Sequence, residues 1–145
     1  MTAFQKIVIL MSCVVFILSL FQPAFYIGRE DYDAYADGKF LVLLGWMSFL
    51  GGNFIAFLIW LANPFFIISL ILLINRSLMG FYLSIAACFI ALSFSLLDST
   101  MTSESGSNSE ITSLENGYKL WVSSIIILSL GTGINLLISK ANRKI

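Results

Sequence analysis

The sequence predicts an all-α, polytopic membrane protein: four transmembrane helices and one re-entrant or interfacial half-helix. Three observations lead there. The chain has 145 residues, of which 59% are hydrophobic and 11% charged, whereas a soluble domain is about 25% charged. Its apolar residues fall into blocks long enough to cross a hydrocarbon layer about 30 Å thick. One block, residues 40–74, holds 35 residues without a charge. As a straight helix it would extend about 50 Å, so it must break into a full span and a shorter piece.

The first span is expected over residues 4–25, with Lys6 at its start and Pro23 and Tyr26 at its far end. Proline is tolerated where a helix finishes, and tyrosine favours the headgroup level. Residues 26–39 form an acidic loop, in which Arg29 and Lys39 face Glu30, Asp31, Asp33 and Asp37. Residues 40–50 read as the half-helix, about 16 Å long. Gly51-Gly52 supplies the reversal, since glycine accepts the backbone angles it needs. Asn53 then caps the second span, Phe54–Ile74. The other division makes 40–62 the span and 65–74 the half-length piece. A glycine pair interrupts a helix in lipid more completely than a proline, which favours the first.

Asn75-Arg76-Ser77 reads as a tight turn into the third span, residues 78–97. Residues 98–117 carry four acids and no base, with many Ser and Thr. They lack apolar periodicity and read as a mobile loop. The fourth span, 118–138, opens with Tyr118 and Trp121 and is followed by Lys140, Arg143 and Lys144. The whole is one membrane domain without internal repeats. Lys6, Arg76, Lys140, Arg143 and Lys144 then share one face of the bilayer, and all eight acids share the other with Arg29, Lys39 and Lys119. The bias of basic residues puts both termini in the cytoplasm and the loops 26–39 and 98–117 outside.

Polar points at membrane depth are the candidates for function. Gly51, Gly52, Asn53, Asn63 and Pro64 mark the breaks. Pro64 has no N–H, so the carbonyl of Trp60 loses its helical partner, and Asn63 brings an amide to the same level. Two readings stand side by side: a structural kink whose amide bonds within the bundle, or a polar point lining a binding site or pathway. Ala87, Ala91 and Ser95 in the third span, and Ser129 and Gly133 in the fourth, are spaced as helix-packing seams, within the bundle or between copies. Asn135 has the position to hydrogen-bond across such a seam. Cys13 and Cys88, inside apolar runs, read as small packing residues.

The chemistry available is thin. The chain has no His, so neither a Ser-His-Asp triad nor the usual zinc site can be assembled. Neither catalytic nor cofactor-binding residues emerge, and no metal site does. The segment Asp31-x-Asp33-x-x-x-Asp37-Gly38 has Tyr35 and Ala36 where a calcium loop needs a ligand and a glycine. No basic patch suits nucleic acid. The expected partners are the lipid bilayer and a membrane protein or a second copy of the chain.

The run Gly45-Trp46, Gly51-Gly52-Asn53 and Trp60-Leu61-Ala62-Asn63-Pro64 follows a short acidic loop, and Gly117-Tyr118-x-x-Trp121 opens the last span. This pattern resembles one found in uncharacterised small bacterial multi-pass membrane proteins. The resemblance implies a bacterial inner-membrane setting and no particular activity. The function expected from these features is non-enzymatic: an accessory or interaction subunit acting through helix packing in the bilayer. The alternative is a small transporter, or a lipid- or small-molecule-binding protein, that uses the broken helix around Asn53 and Pro64.

Overall fold

The computed structural model describes residues 2–28, 34–101 and 108–142. Helix α1, Ala3–Ser19, is capped by Thr2, whose hydroxyl accepts the Gln5 N–H. It stops well short of residue 25. Pro23 biases Gln22 away from helical angles, and the aromatic and β-branched run behind it extends as strand β1, Pro23–Ile27. Strand β2 is Ala34–Asp37. It leads into the half-helix: α2, Gly38–Leu44, continued by a 3-10 turn over Gly45–Phe49.

Helices α3, Phe54–Trp60, and α4, Ala62–Ile74, join through Leu61 into one apolar helix of 21 residues. The end of α4 shows why the turn after it is tight. The N–H groups of Ser77 and Arg76 donate to the carbonyls of Leu72 and Leu73, at 2.8 and 3.1 Å, with Arg76 at φ 59°. This reversed double bond is a Schellman closure in which arginine fills the place usually held by glycine. Helix α5, Met79–Ser93, extends through a 3-10 turn to Leu96. Strands β3, Ser99–Met101, and β4, Asn108–Leu114, precede the longest helix, α6, Asn116–Ala141.

The fold is therefore mostly helical but not all-α. Four strands form an antiparallel sheet in the order β2-β1-β4-β3. Its centre joins the two acidic segments, with Phe25 opposite Leu114 and Tyr26 opposite Ser113. Residues 99–101 and 108–114, expected as loop, are strand. Ile111 and Leu114 pack against the core, while Glu110 and Thr112 face out. That alternation is too short to stand out in one segment, and the edge it completes lies far away in sequence.

Among the described residues three helices are long and apolar enough to cross a membrane: Phe54–Ile74, Met79–Leu96 and Asn116–Ala141. The 17-residue α1 lies antiparallel along α6. Val8 meets Gly131, and the Ser12 hydroxyl donates to the Ser124 carbonyl at 2.7 Å. The Thr2 hydroxyl donates to Asn135 Oδ1 at 2.7 Å, across the seam where that amide was expected to bond. Hydroxyls tie the other helices in the same way: Ser69 donates to the Gly80 carbonyl and Ser129 to that of Ser84. Small buried residues permit this closeness, with Ala62, Ala87 and Ala91 fully buried beside Ile125 and Leu128. The sheet and half-helix occupy one end of the bundle. Thr2, the Arg76 turn and Asn135 occupy the other.

Candidate functional site

The break in the second long helix is built around Asn63. Pro64 sits in the first turn of α4, where its missing N–H is tolerated. The orphaned Trp60 carbonyl accepts from Asn63 Nδ2 at 3.1 Å, and Asn63 Oδ1 accepts from the Trp121 indole N–H at 2.9 Å. Indole only donates and a carbonyl only accepts, so the orientation of the amide is forced. The Trp60 indole N–H in turn donates to the Val42 carbonyl at 2.8 Å. A continuous hydrogen-bonded path thus runs from α6 through the kink to the half-helix. The Asn63 amide serves the kink, and the residue also lies on a cavity wall.

The half-helix docks along the outer third of the same long helix. Gly45 lets it approach, since a Cβ there would lie 2.6 Å from the Trp60 ring. Phe49 contacts Phe54 edge-on and Phe57 at a tilt, with ring centroids 5.4 and 5.2 Å apart. Gly52, at φ 81°, turns the chain, and Asn53 Oδ1 accepts the Ala56 N–H at 3.0 Å, so Asn53 caps α3. The outward side of this hairpin is apolar and exposed, with Phe40, Leu43, Met47 and Leu50.

Between half-helix, sheet and bundle lies a cavity of about 530 Å³, within the range of small-molecule sites. Its walls include Asn63, Tyr118 and Trp121 of the bundle, Ile27, Ala36 and Thr100 of the sheet, and Ser48 and Asn53 of the half-helix hairpin. Among the described residues no Asp, Glu, Lys or Arg lines it. The Tyr118 hydroxyl donates to the Ala91 carbonyl at 3.2 Å. Among the described residues no buried side-chain nitrogen or oxygen lacks a hydrogen-bond partner.

Gly51, Asn53 and Asn63 line this space, Gly52 shapes the turn beside it, and Pro64 stands next to Asn63 without lining it. The seam residues lie elsewhere. Ala87 and Ala91 are buried, Ser129 bonds α5, and Gly133 faces the Phe81 ring. Ser95 is exposed in the 3-10 turn; its hydroxyl donates to the Leu92 carbonyl at 2.8 Å, and the residue also meets the Tyr118 hydroxyl of α6. Trp60, Trp121 and Gly45 were not singled out as site residues. The signal available was Trp60 three residues before Asn63, one helical turn away. Of the calcium-like segment, Asp31 and Asp33 lie outside the described residues, and Asp37 pairs with Lys39 at 3.2 Å. Cys13 and Cys88 are half-buried and unpaired.

Set against known proteins, the chain matches no family model, no curated protein and no solved structure.

Proposed function

We propose that this is a four-span protein of a bacterial inner membrane that binds an apolar or amphipathic small molecule, without catalysis, in the cavity beneath its half-helix. The observation that carries the binding reading is the size and chemistry of that cavity. The cavity is open on one side and its walls are mostly apolar, so an occupant that covers them gains the burial of apolar surface, about 25 cal/mol per Å². Water gains less there, because most of the polar side-chain groups on the deep wall are already hydrogen-bonded. An apolar occupant suits these walls.

Support for a fourth crossing comes from α1. The segment from Thr2 to Pro23, helical over Ala3–Ser19, runs beside α6 from Asn135 to Gly117, a stretch of α6 about 27 Å long that nearly matches the hydrocarbon thickness. Lys6, Arg76 and Lys140 gather at one end of the bundle and Asp37, Asp98, Glu110 and Glu115 at the other. The excess of bases supports cytoplasmic termini and an outward-facing sheet.

The role of accessory subunit drew on the small-residue seams. Those seams are engaged within the chain, where Ala87 and Ala91 are fully covered and Ser129 and Gly133 face α5. This moves the balance to the binding reading. Native mass spectrometry from mild detergent tests it, with Ala56→Phe placed to fill the cavity. The wild-type chain should retain an apolar adduct that Ala56→Phe loses at unchanged helicity. Equal adducts on both proteins would refute the proposal.

A further inference from the structure

We infer that the occupant is an uncharged molecule carrying an aromatic ring system, recognised by ring-to-ring contact with Phe25, Phe94, Tyr118 and Trp121. The inference rests on the binding reading above and deepens it by naming the class of ligand.

The aromatic residues of the wall form one connected run. The ring centroids of Phe25 and Phe94 lie 5.2 Å apart, those of Phe94 and Tyr118 5.3 Å, and those of Tyr118 and Trp121 6.0 Å. All four residues line the cavity. They come from β1, from the 3-10 turn after α5 and from α6, so the run exists only in the folded chain. Trp60 of α3 adds a further ring to the wall, held by its bond to the Val42 carbonyl. The half-helix hairpin differs. Phe40 and Trp46 are exposed, Phe49 packs on Phe54 and Phe57, and none of the three lines the cavity. The aromatic lining is therefore concentrated on bundle and sheet, in rings that touch one another.

The choice between a ring and an alkyl chain follows from what each gains. Both are driven by the apolar area they bury. An aromatic guest gains in addition about two- to tenfold in affinity for each ring pair it forms, in offset-stacked or edge-to-face contact. Neighbouring rings of the run are tilted by 44°, 46° and 50°. Either contact geometry is favourable, so these tilts do not limit the gain to one ring of the run. The guest is uncharged because no Asp, Glu, Lys or Arg lines the cavity among the described residues, and a charge taken from water into apolar walls needs a partner.

Fluorine NMR of the full chain in mild detergent tests this, with 2-fluoronaphthalene as the probe. Naphthalene and decalin share one carbon skeleton, and only the first is aromatic. The probe should bind saturably at one equivalent per chain. With competitor concentrations counted in the micelles, naphthalene should displace it at least about fivefold more effectively than decalin. Ionised 2-naphthoate and the 2-naphthyltrimethylammonium cation should compete at least about tenfold more weakly than naphthalene. Phe25→Leu and Phe94→Leu each take one ring from the run and keep an apolar side chain. Each should lower the preference for naphthalene over decalin about two- to tenfold, whereas Tyr118→Phe, which keeps its ring, should change it less than about twofold. The preference is a ratio taken on one protein, so a general loosening of the fold does not mimic this pattern.

If the probe does not bind saturably, if decalin or either ion competes as well as naphthalene, or if either leucine variant of unchanged helicity keeps the preference, the inference fails while cavity binding stands. If Ala56→Phe leaves saturable binding of the probe intact, cavity binding itself is overturned.

Discussion

Replacing Asn63 and Pro64 singly and together gives a direct measure of how the kink is held. Asn63→Ala removes two bonds at once. The Trp121 indole loses its acceptor, an interhelical bond worth about 0.6 kcal/mol and at most about 1.7 in a membrane bundle. The Trp60 carbonyl loses its donor, and an unpaired buried carbonyl costs about 1–3 kcal/mol. The expected loss is about 2–4 kcal/mol. Pro64→Ala restores an N–H four residues beyond Trp60, and Leu61 already has helical angles, with φ −58° and ψ −17°. In that background the helix can satisfy the Trp60 carbonyl without the amide, so Asn63→Ala should cost only the Trp121 bond. The coupling between the two substitutions is then about 1–3 kcal/mol, the relieved cost of the unpaired carbonyl. Equilibrium unfolding in mixed micelles of mild detergent and dodecyl sulfate, followed by circular dichroism, reads it. Additivity to within about 0.5 kcal/mol, the behaviour of independent sites, would show that the amide does not substitute for the missing proline N–H.

The α1–α6 seam makes a steric prediction. A Cβ on Gly131 would lie 2.5 Å from Val8 Cγ1, and valine in a helix has little rotamer freedom. Gly131→Ala should therefore destabilise by about 1–3 kcal/mol, and Val8→Ala should recover most of that loss in the same unfolding assay. The central strand pair makes a covalent one. With Cys13 and Cys88 replaced by alanine, Tyr26→Cys and Ser113→Cys, directly opposite across β1 and β4, should form an intramolecular disulfide visible as a two-dalton loss by mass spectrometry. Free thiols at both positions under oxidising conditions would refute the pairing of the two acidic segments.

How much of this was legible follows from the range of each signal. The break at Gly51-Gly52 and the cap at Asn53 are local, set by backbone freedom and one side-chain oxygen. They can be read within a few residues. Charge-free length likewise announces the long helices. The sheet is a different matter, because its strands are short and the pairing joins residues 25 and 114. No window on either segment contains that information. Ser95 lies where the helix tightens into the 3-10 turn that begins at Phe94, so it is exposed although it still meets Tyr118 of α6. The cavity wall was half legible. Asn53 and Asn63 stood out as polar residues in apolar sequence, whereas Trp60 and Trp121 passed as ordinary apolar or interfacial aromatics.

Those two tryptophans also explain why the molecule has a cavity at one place and close packing elsewhere. Along α1 and α6 the contacts are Gly131, Ser12 and Ser124, residues small enough for backbones to meet. Between α6 and the half-helix they are Trp121, Tyr118, Trp60 and Phe94, rings that hold the elements apart. Each indole is fixed at its N–H, one to the kink and the other to the half-helix, so the rings cannot swing inward to fill the space without breaking a buried bond. A void produced by poor packing would collapse at little cost. This one is braced by hydrogen bonds that resist collapse, and the same bonds use up most of the polarity of its deep wall. The bracing that keeps the space open also leaves walls suited to an apolar occupant.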